Sequence, residues 1–185
     1  SNKNTNQVFF PHSTGQKELS IKHKGQGSPW VTIQSKAAIP LKSPLFAGYR
    51  LEKTIVAIER KKPDVWSKGD IIRIKLKIQA DSPKTWVVIS DPIPSGSSIL
   101  GSIPGKDSVL FSEENRKGGW LAYEEKSFET YRAYYQYLSE GESTIEYTLR
   151  LNQEGLFILP STRIEALYFP EMFGELPNQK FIVGE

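Results

Sequence analysis

The chain has 185 residues, 38% hydrophobic and 11% aromatic, enough to bury one core and a fraction of another without covalent staples. Its 24 lysines and arginines against 21 acids leave a net charge of +3, too weak a bias to imply a nucleic-acid or membrane partner by charge alone. With no cysteine there is no disulfide framework, thiolate nucleophile or thiolate metal site, and no apolar run approaches the roughly 20 residues of a membrane span.

The chain opens on Ser1 rather than methionine and lacks the charged and apolar regions of a signal peptide, so it reads as a segment of a longer protein. Leu19, Ile21 and His23, then Trp30 to Ile33, suggest two strands joined by a turn over Gly25 to Pro29, too few to bury a core alone. The stretch from Ser35 to Gly48 is punctuated by Pro40 and Pro44 and lacks sustained alternation, which places a boundary there. Residues 1–45 are expected to be strands of an incomplete neighbouring β-domain plus linker, and residues 46–185 the main domain.

Within the main domain the period is two. Ile72, Ile74, Leu76 and Ile78 alternate with Arg73, Lys75, Lys77 and Gln79, giving one apolar and one basic face. Trp86 to Ile89 reads as a short, more fully buried strand. Ser127 to Leu138 is long and aromatic, with Tyr131, Ala133, Tyr135 and Tyr137 expected on one face and Phe128, Arg132 and Tyr134 on the other. Gly141 and Glu142 sit where a hairpin would turn into a strand carrying Ile145, Tyr147, Leu149 and Leu151, and Asn152 to Gly155 turns before Leu156 to Leu159. Thr162 to Phe169 and Lys180 to Val183 are the last strands, with a loop expected between them. Fourteen glycines and 12 prolines punctuating these runs predict an all-β fold with little or no helix, an antiparallel two-sheet sandwich of the immunoglobulin or fibronectin kind.

Chemistry is sparse. His12 and His23 are the only imidazoles and lack a third ligand at zinc spacing, so neither a metal nor a cofactor is implied. No G-x-S-x-G segment occurs, and Ser95-Gly96-Ser97-Ser98 reads as a turn. Glu113-Glu114 and Glu124-Glu125 are adjacent pairs whose members face opposite ways on a strand, which suits solvated charges better than an acid and base sharing one substrate. Arg60-Lys61-Lys62 and the face Arg73, Lys75 and Lys77 could meet phosphate, but interspersed Glu52, Glu59 and Asp70 suit a solvated sheet face. Tyr131, Tyr134, Tyr135 and Tyr137 with Trp120 and Tyr123 could form a stacking platform for sugar rings, or divide between core and cross-strand packing.

Four segments follow one another in order: Trp30 to Ser35; Val88-Ile89-Ser90-Asp91-Pro92-Ile93-Pro94-Ser95-Gly96; Tyr123 to Tyr135; and Ala166-Leu167-Tyr168-Phe169-Pro170-Glu171-Met172-Phe173-Gly174-Glu175. Together they resemble the C-terminal end of the bacterial alpha-2-macroglobulins, large protease-trapping proteins built from successive macroglobulin-like sandwiches, a bait region and a thioester domain. The resemblance implies a non-enzymatic, C-terminal macroglobulin-like domain whose partner is the thioester domain of its own parent chain, with target proteases met only by the full-length protein. It also implies a periplasmic location, in a parent that can be an inner-membrane lipoprotein, and a fragment that is monomeric. In the family a methionine of this domain helps shield the thioester, and the match falls on Met172. Tyr168 and Phe173 join it by their place in the expected loop. The alternatives are a carbohydrate-binding or adhesion module using exposed tyrosines, and a plain structural spacer.

Overall fold

A computed structural model describes residues 22–27, 30, 41–101 and 118–185. The chain divides into two compact units, Ser1–Ala38 and Ile39–Glu185. In the first, Gly25 to Gly27 form a bend in which Gly25 and Gly27 have φ of 152° and 105°. The expected strands at Leu19 to His23 and Trp30 to Ile33 fall almost wholly outside the described residues, as do His12 and Glu113-Glu114.

The described residues of the second unit contain strands and no helix. In chain order the strands are β1 (Leu45–Ala47), β2 (Tyr49–Glu59), β3 (Trp66–Ser67), β4 (Ile71–Ala80), β5 (Lys84–Pro92), β6 (Ser98–Leu100) and β7 (Gly119–Lys126). They continue with β8 (Thr130–Leu138), β9 (Gly141–Arg150), β10 (Gly155–Phe157), β11 (Thr162–Ala166), β12 (Phe169–Leu176) and β13 (Phe181–Gly184). A six-stranded sheet runs β1-β12-β11-β5-β8-β7, a four-stranded sheet runs β2-β4-β9-β6, and β10-β13-β3 form a small third sheet. Every pairing between strands is antiparallel except β13 with β3.

The alternation read in β4 is the core of the four-stranded sheet. Ile72, Ile74, Leu76 and Ile78 are buried, beside Tyr49 and Leu51 of β2 and Ile145, Tyr147 and Leu149 of β9. Val87 and Ile89 of β5, Tyr131, Ala133 and Tyr135 of β8, and Ile164 and Ala166 of β11 complete the same apolar cluster from the six-stranded sheet. Fully burying each such side chain stabilises by about 1.5–3 kcal/mol, offset largely by lost chain entropy. The rings of Tyr131 and Tyr147 stack with centroids 4.2 Å apart, joining a strand of one sheet to a strand of the other.

Three expectations are corrected. Gly141 does not turn a hairpin: β8 belongs to the six-stranded sheet and β9 to the four-stranded one, so the chain changes sheets there. Turn chemistry is local and does not distinguish the two connections. Tyr137 does not share a face with Tyr135. The pairing of β7 with β8 shifts between Trp120 and Leu121, so that Gln136 is passed over, Leu138 becomes buried and Tyr137 stays partly exposed against Trp120. Finally, the expected loop between the last two strands is itself a strand. β11 ends at Ala166, Leu167 and Tyr168 turn, and β12 runs between β11 and β1.

A candidate contact face around Met172

β12 contains Pro170 and Gly174, both unusual inside a strand. The pairing of β12 with β11 passes from Ala166↔Phe169 directly to Glu165↔Phe173, so Pro170, Glu171 and Met172 bulge out of the ladder and the missing proline N–H forfeits no hydrogen bond there. Gly174 is required by proximity: a Cβ on it would lie 2.6 Å from the Tyr49 carbonyl oxygen.

Met172 is half-buried and packs against the edge of the apolar core. Its Sδ accepts from the Ser82 hydroxyl at 3.9 Å, and its Cε lies against Gly48. Lys84 donates to Ser82 Oγ at 2.9 Å and to the Pro83 carbonyl at 3.2 Å, and its Nζ stands 5.3 Å from the centroid of the Phe169 ring. Met172, Ser82, Lys84 and Phe169 thus form one small patch where the β4–β5 turn meets the start of β12. The patch combines a soft thioether with a hydroxyl and an ammonium that are already engaged.

The other two residues expected beside Met172 are placed differently. Tyr168, 70% exposed, is at the tip of the β11–β12 turn. Phe173 follows Met172 in the strand and emerges on the opposite face, where the Arg163 guanidinium lies 5.1 Å over its ring. Arg163 is in turn bound by Glu165 at 2.9 Å and by Glu175. The structure therefore does not gather Met172 and Phe173 into one surface.

The remaining sequence candidates are mostly spoken for. Glu124 accepts from the Tyr131 hydroxyl, whereas Glu125 accepts from Arg132 at 2.9 and 3.1 Å and from Tyr134 at 3.2 Å. The two carboxylates do face opposite ways, but both are partnered rather than merely solvated. Lys75 pairs with Glu146 at 3.2 Å and Lys77 with Glu142 at 2.9 Å. Arg60 lies 4.2 Å over Trp66, Lys61 donates to the Lys68 carbonyl at 2.6 Å, and Lys62 donates to the Glu185 carbonyl at 2.9 Å. The aromatic set divides: Tyr131 and Tyr135 are buried, while Trp120 pairs with Tyr137 at 5.8 Å and Tyr123 with Tyr134 at 6.0 Å. Among the described residues no cluster of three histidines and carboxylates could hold a metal ion, and no helix is long and apolar enough to cross a membrane.

Burial governs the tyrosines. It pushes the Tyr135 phenol up to about 12, with help from the Glu124 charge, and pushes Tyr49 up to about 12 unaided. Tyr131 is raised by burial and by its bond to Glu124, and Tyr147 by burial and by the Asp91 carboxylate.

The most concentrated polar chemistry lies where sequence reasoning assigned no role. Asp91 is wholly buried near the end of β5 and accepts from Lys53 at 2.7 Å, Thr162 at 2.5 Å and Tyr147 at 2.5 Å. Lys53 also donates to Asn178 Oδ1 at 3.1 Å. The signal was available: Asp91 is in phase with the inward-facing Val87 and Ile89, so an acid on that face has to find partners.

Comparison with known proteins supplies the context. A family profile described as the bacterial alpha-2-macroglobulin MG10 domain matches residues 48–171, ending one residue short of Met172. The alpha-2-macroglobulin homolog of Nostoc sp. is 24% identical over 186 aligned positions, covering 92% of this chain and 10% of the relative, so the chain spans about a tenth of that protein. The native alpha-2-macroglobulin of Escherichia coli, from its domain MG7 to the C-terminus, superposes with a TM-score of 0.65 at 15% identity, covering 79% of this chain and 25% of that one. The Salmonella alpha-2-macroglobulin reacted with methylamine gives 0.64 at 18% identity, covering 77% and 10%. The structural likeness speaks for the sandwich, and the profile, covering most of that sandwich, speaks for descent: the chain belongs to the family of bacterial alpha-2-macroglobulin MG10 domains.

Proposed function

We propose that this domain is a non-enzymatic part of a bacterial protease-trapping inhibitor, and that it packs on the thioester domain of its own parent chain and keeps water from the thioester until the bait region is cut. The reading rests on family membership. It is supported by related structures described as activated by trypsin or by porcine elastase and as reacted with methylamine. The chain has no cysteine, so the thioester it covers belongs to another part of the parent. The parent acts in the periplasm, where it meets proteases that this domain alone does not engage.

Met172 carries the cover. A thioester survives only where water and amines are excluded and no free nucleophile adjoins it, and a half-buried thioether backed by Gly48 offers apolar bulk without reactivity. Ser82 and Lys84, the nucleophilic groups nearest it, are bonded to each other and to their surroundings. Tyr168 at the turn tip extends the contact, whereas Phe173, on the other face under Arg163, contributes only by stiffening β12. The contact has to break on activation, which suits a modest interface.

The test is thiol release from the full-length parent on methylamine treatment, with and without Met172→Ala. Faster spontaneous release in the variant supports the cover; an unchanged thioester lifetime counts against it. A second reading is favoured by the outward pairs Trp120–Tyr137 and Tyr123–Tyr134: a saccharide-stacking face, which glycan binding abolished by Tyr134→Ala or Tyr137→Ala would support.

A further inference from the structure

We propose that Lys53 and Asn178 are joined by an intramolecular isopeptide bond that forms spontaneously under the influence of Asp91. The proposal rests on a convergence of groups whose separate presence would be ordinary. Lys53 comes from β2, Asp91 from β5, Thr162 from β11, Tyr147 from β9, and Asn178 from the connection between β12 and β13. The Lys53 side chain is 8% exposed and that of Asp91 not at all. The amine and the carboxylate are therefore held away from bulk water, with the half-buried Asn178 carboxamide against them.

The hydrogen bonds supply a complete route for the reaction. Lys53 Nζ donates to Asp91 Oδ1 at 2.7 Å and to Asn178 Oδ1 at 3.1 Å, so the nitrogen sits beside both a base and the carbonyl it would attack. Thr162 Oγ1 donates to Asp91 Oδ1 at 2.5 Å and accepts from Asn178 Nδ2 at 3.1 Å, which links the base to the leaving nitrogen. Asn178 Nδ2 also donates to the Pro160 carbonyl at 2.6 Å, which fixes the rotation of the carboxamide. Tyr147 donates to the other Asp91 oxygen at 2.5 Å. Pre-organisation of this kind replaces a slow encounter between an amine and an amide, which do not react appreciably in water.

The steps balance without a co-reactant. The Lys53 ammonium gives one proton to Asp91, and the freed lone pair attacks Cγ of Asn178, forming the Nζ–Cγ bond. The second proton of the attacking nitrogen passes by way of Asp91 and the Thr162 hydroxyl to Nδ2, and the Cγ–Nδ2 bond breaks. Ammonia leaves as a neutral molecule, and Asp91 keeps the first proton. Nothing is oxidised or reduced, and a buried ion pair has been exchanged for a neutral acid and a secondary amide. That exchange removes the desolvation cost of two buried charges, which favours the product.

The experiment is mass spectrometry of the purified chain. The expected result is an intact mass one ammonia below that of the sequence, and a tryptic digest containing a branched peptide in which Lys53 carries Asn178, with no cleavage after Lys53. Lys53→Arg and Asn178→Ala restore the full mass, and Asp91→Asn leaves most of the protein unreacted. A wild-type protein of full sequence mass, with trypsin cutting after Lys53 and Asn178 recovered in its own peptide, overturns the proposal. So does an ammonia loss confined to a single asparagine as a cyclic imide, with no branched peptide. Each of these outcomes is read from the wild-type chain and does not depend on whether the variants fold.

Discussion

Met172 occupies the space that any side chain at residue 48 would need: a Cβ on Gly48 would lie 2.5 Å from Met172 Cε, at a position where φ is +88°. The residue proposed to face the thioester domain thus has room for its thioether because residue 48, immediately before β2, carries no side chain.

Gly48→Ala carries two penalties that can be separated. The backbone conformation costs about 1–3 kcal/mol for a residue with a Cβ, and displacement of the thioether adds to it. Denaturant titration of Gly48→Ala, Met172→Ala and the double variant should show a double variant less destabilised than the sum of the singles, because only the steric part is relieved.

Tyr49 is buried, yet its hydroxyl has no hydrogen-bond partner among the described residues. Tyr49→Phe should therefore leave stability unchanged or raise it by about 1 kcal/mol, since an unsatisfied buried group is removed without loss of ring packing. A drop in the urea midpoint would show that the hydroxyl is satisfied by a partner outside the described residues.

In an Asn178→Ala background, where Lys53 stays an unlinked ammonium, Asp91→Ala and Lys75→Ala each break an ion pair, with unequal results. The first leaves Lys53 without its buried partner and should cost about 3–5 kcal/mol; the second removes a half-exposed partner of Glu146 and should cost less than about 1 kcal/mol. Equal shifts in thermal midpoint would contradict the burial of the first pair.

Alkaline pH should unfold the domain through its buried phenols. Below about pH 10 both the folded and the unfolded chain keep the Tyr49 and Tyr135 protons, and the stabilisation is complete. Above that value the unfolded chain loses protons that the folded one retains until about 12, so stability falls by about 1.4 kcal/mol per pH unit for each tyrosine. Stability measured from about pH 9 upward should fall less steeply in Tyr135→Phe than in the native chain.

How much of this was legible depends on whether the information was local. β4 was readable because five inward positions, Ile72 to Ala80, alternate without interruption. β12 was not, because Pro170 and Gly174 are loop residues by every local rule, and only the bulge opposite β11 and the close approach of Tyr49 explain them. The face of Tyr137 was lost to a one-residue bulge at Gln136. Met172 was identified by resemblance, and the sequence alone did not predict the room Gly48 leaves for it or its separation from Phe173. Asp91 was visible as an acid on an apolar face, but its partners come from other elements far along the chain, and no spacing announces them.

The order of strands in the larger sheet bears on how the domain is made. β5, near the middle of that sheet, pairs on one side with β8 and on the other with β11, and β1 is held only by β12. A ribosome releasing the chain from its N-terminus delivers β1 first and its partner close to last. Until then β1 is an unpaired edge and β5 has one open flank, in a topology dominated by distant contacts that closes slowly. Premature termination before β11 would therefore leave a half-closed sheet with exposed backbone, a species prone to aggregate rather than a smaller working domain.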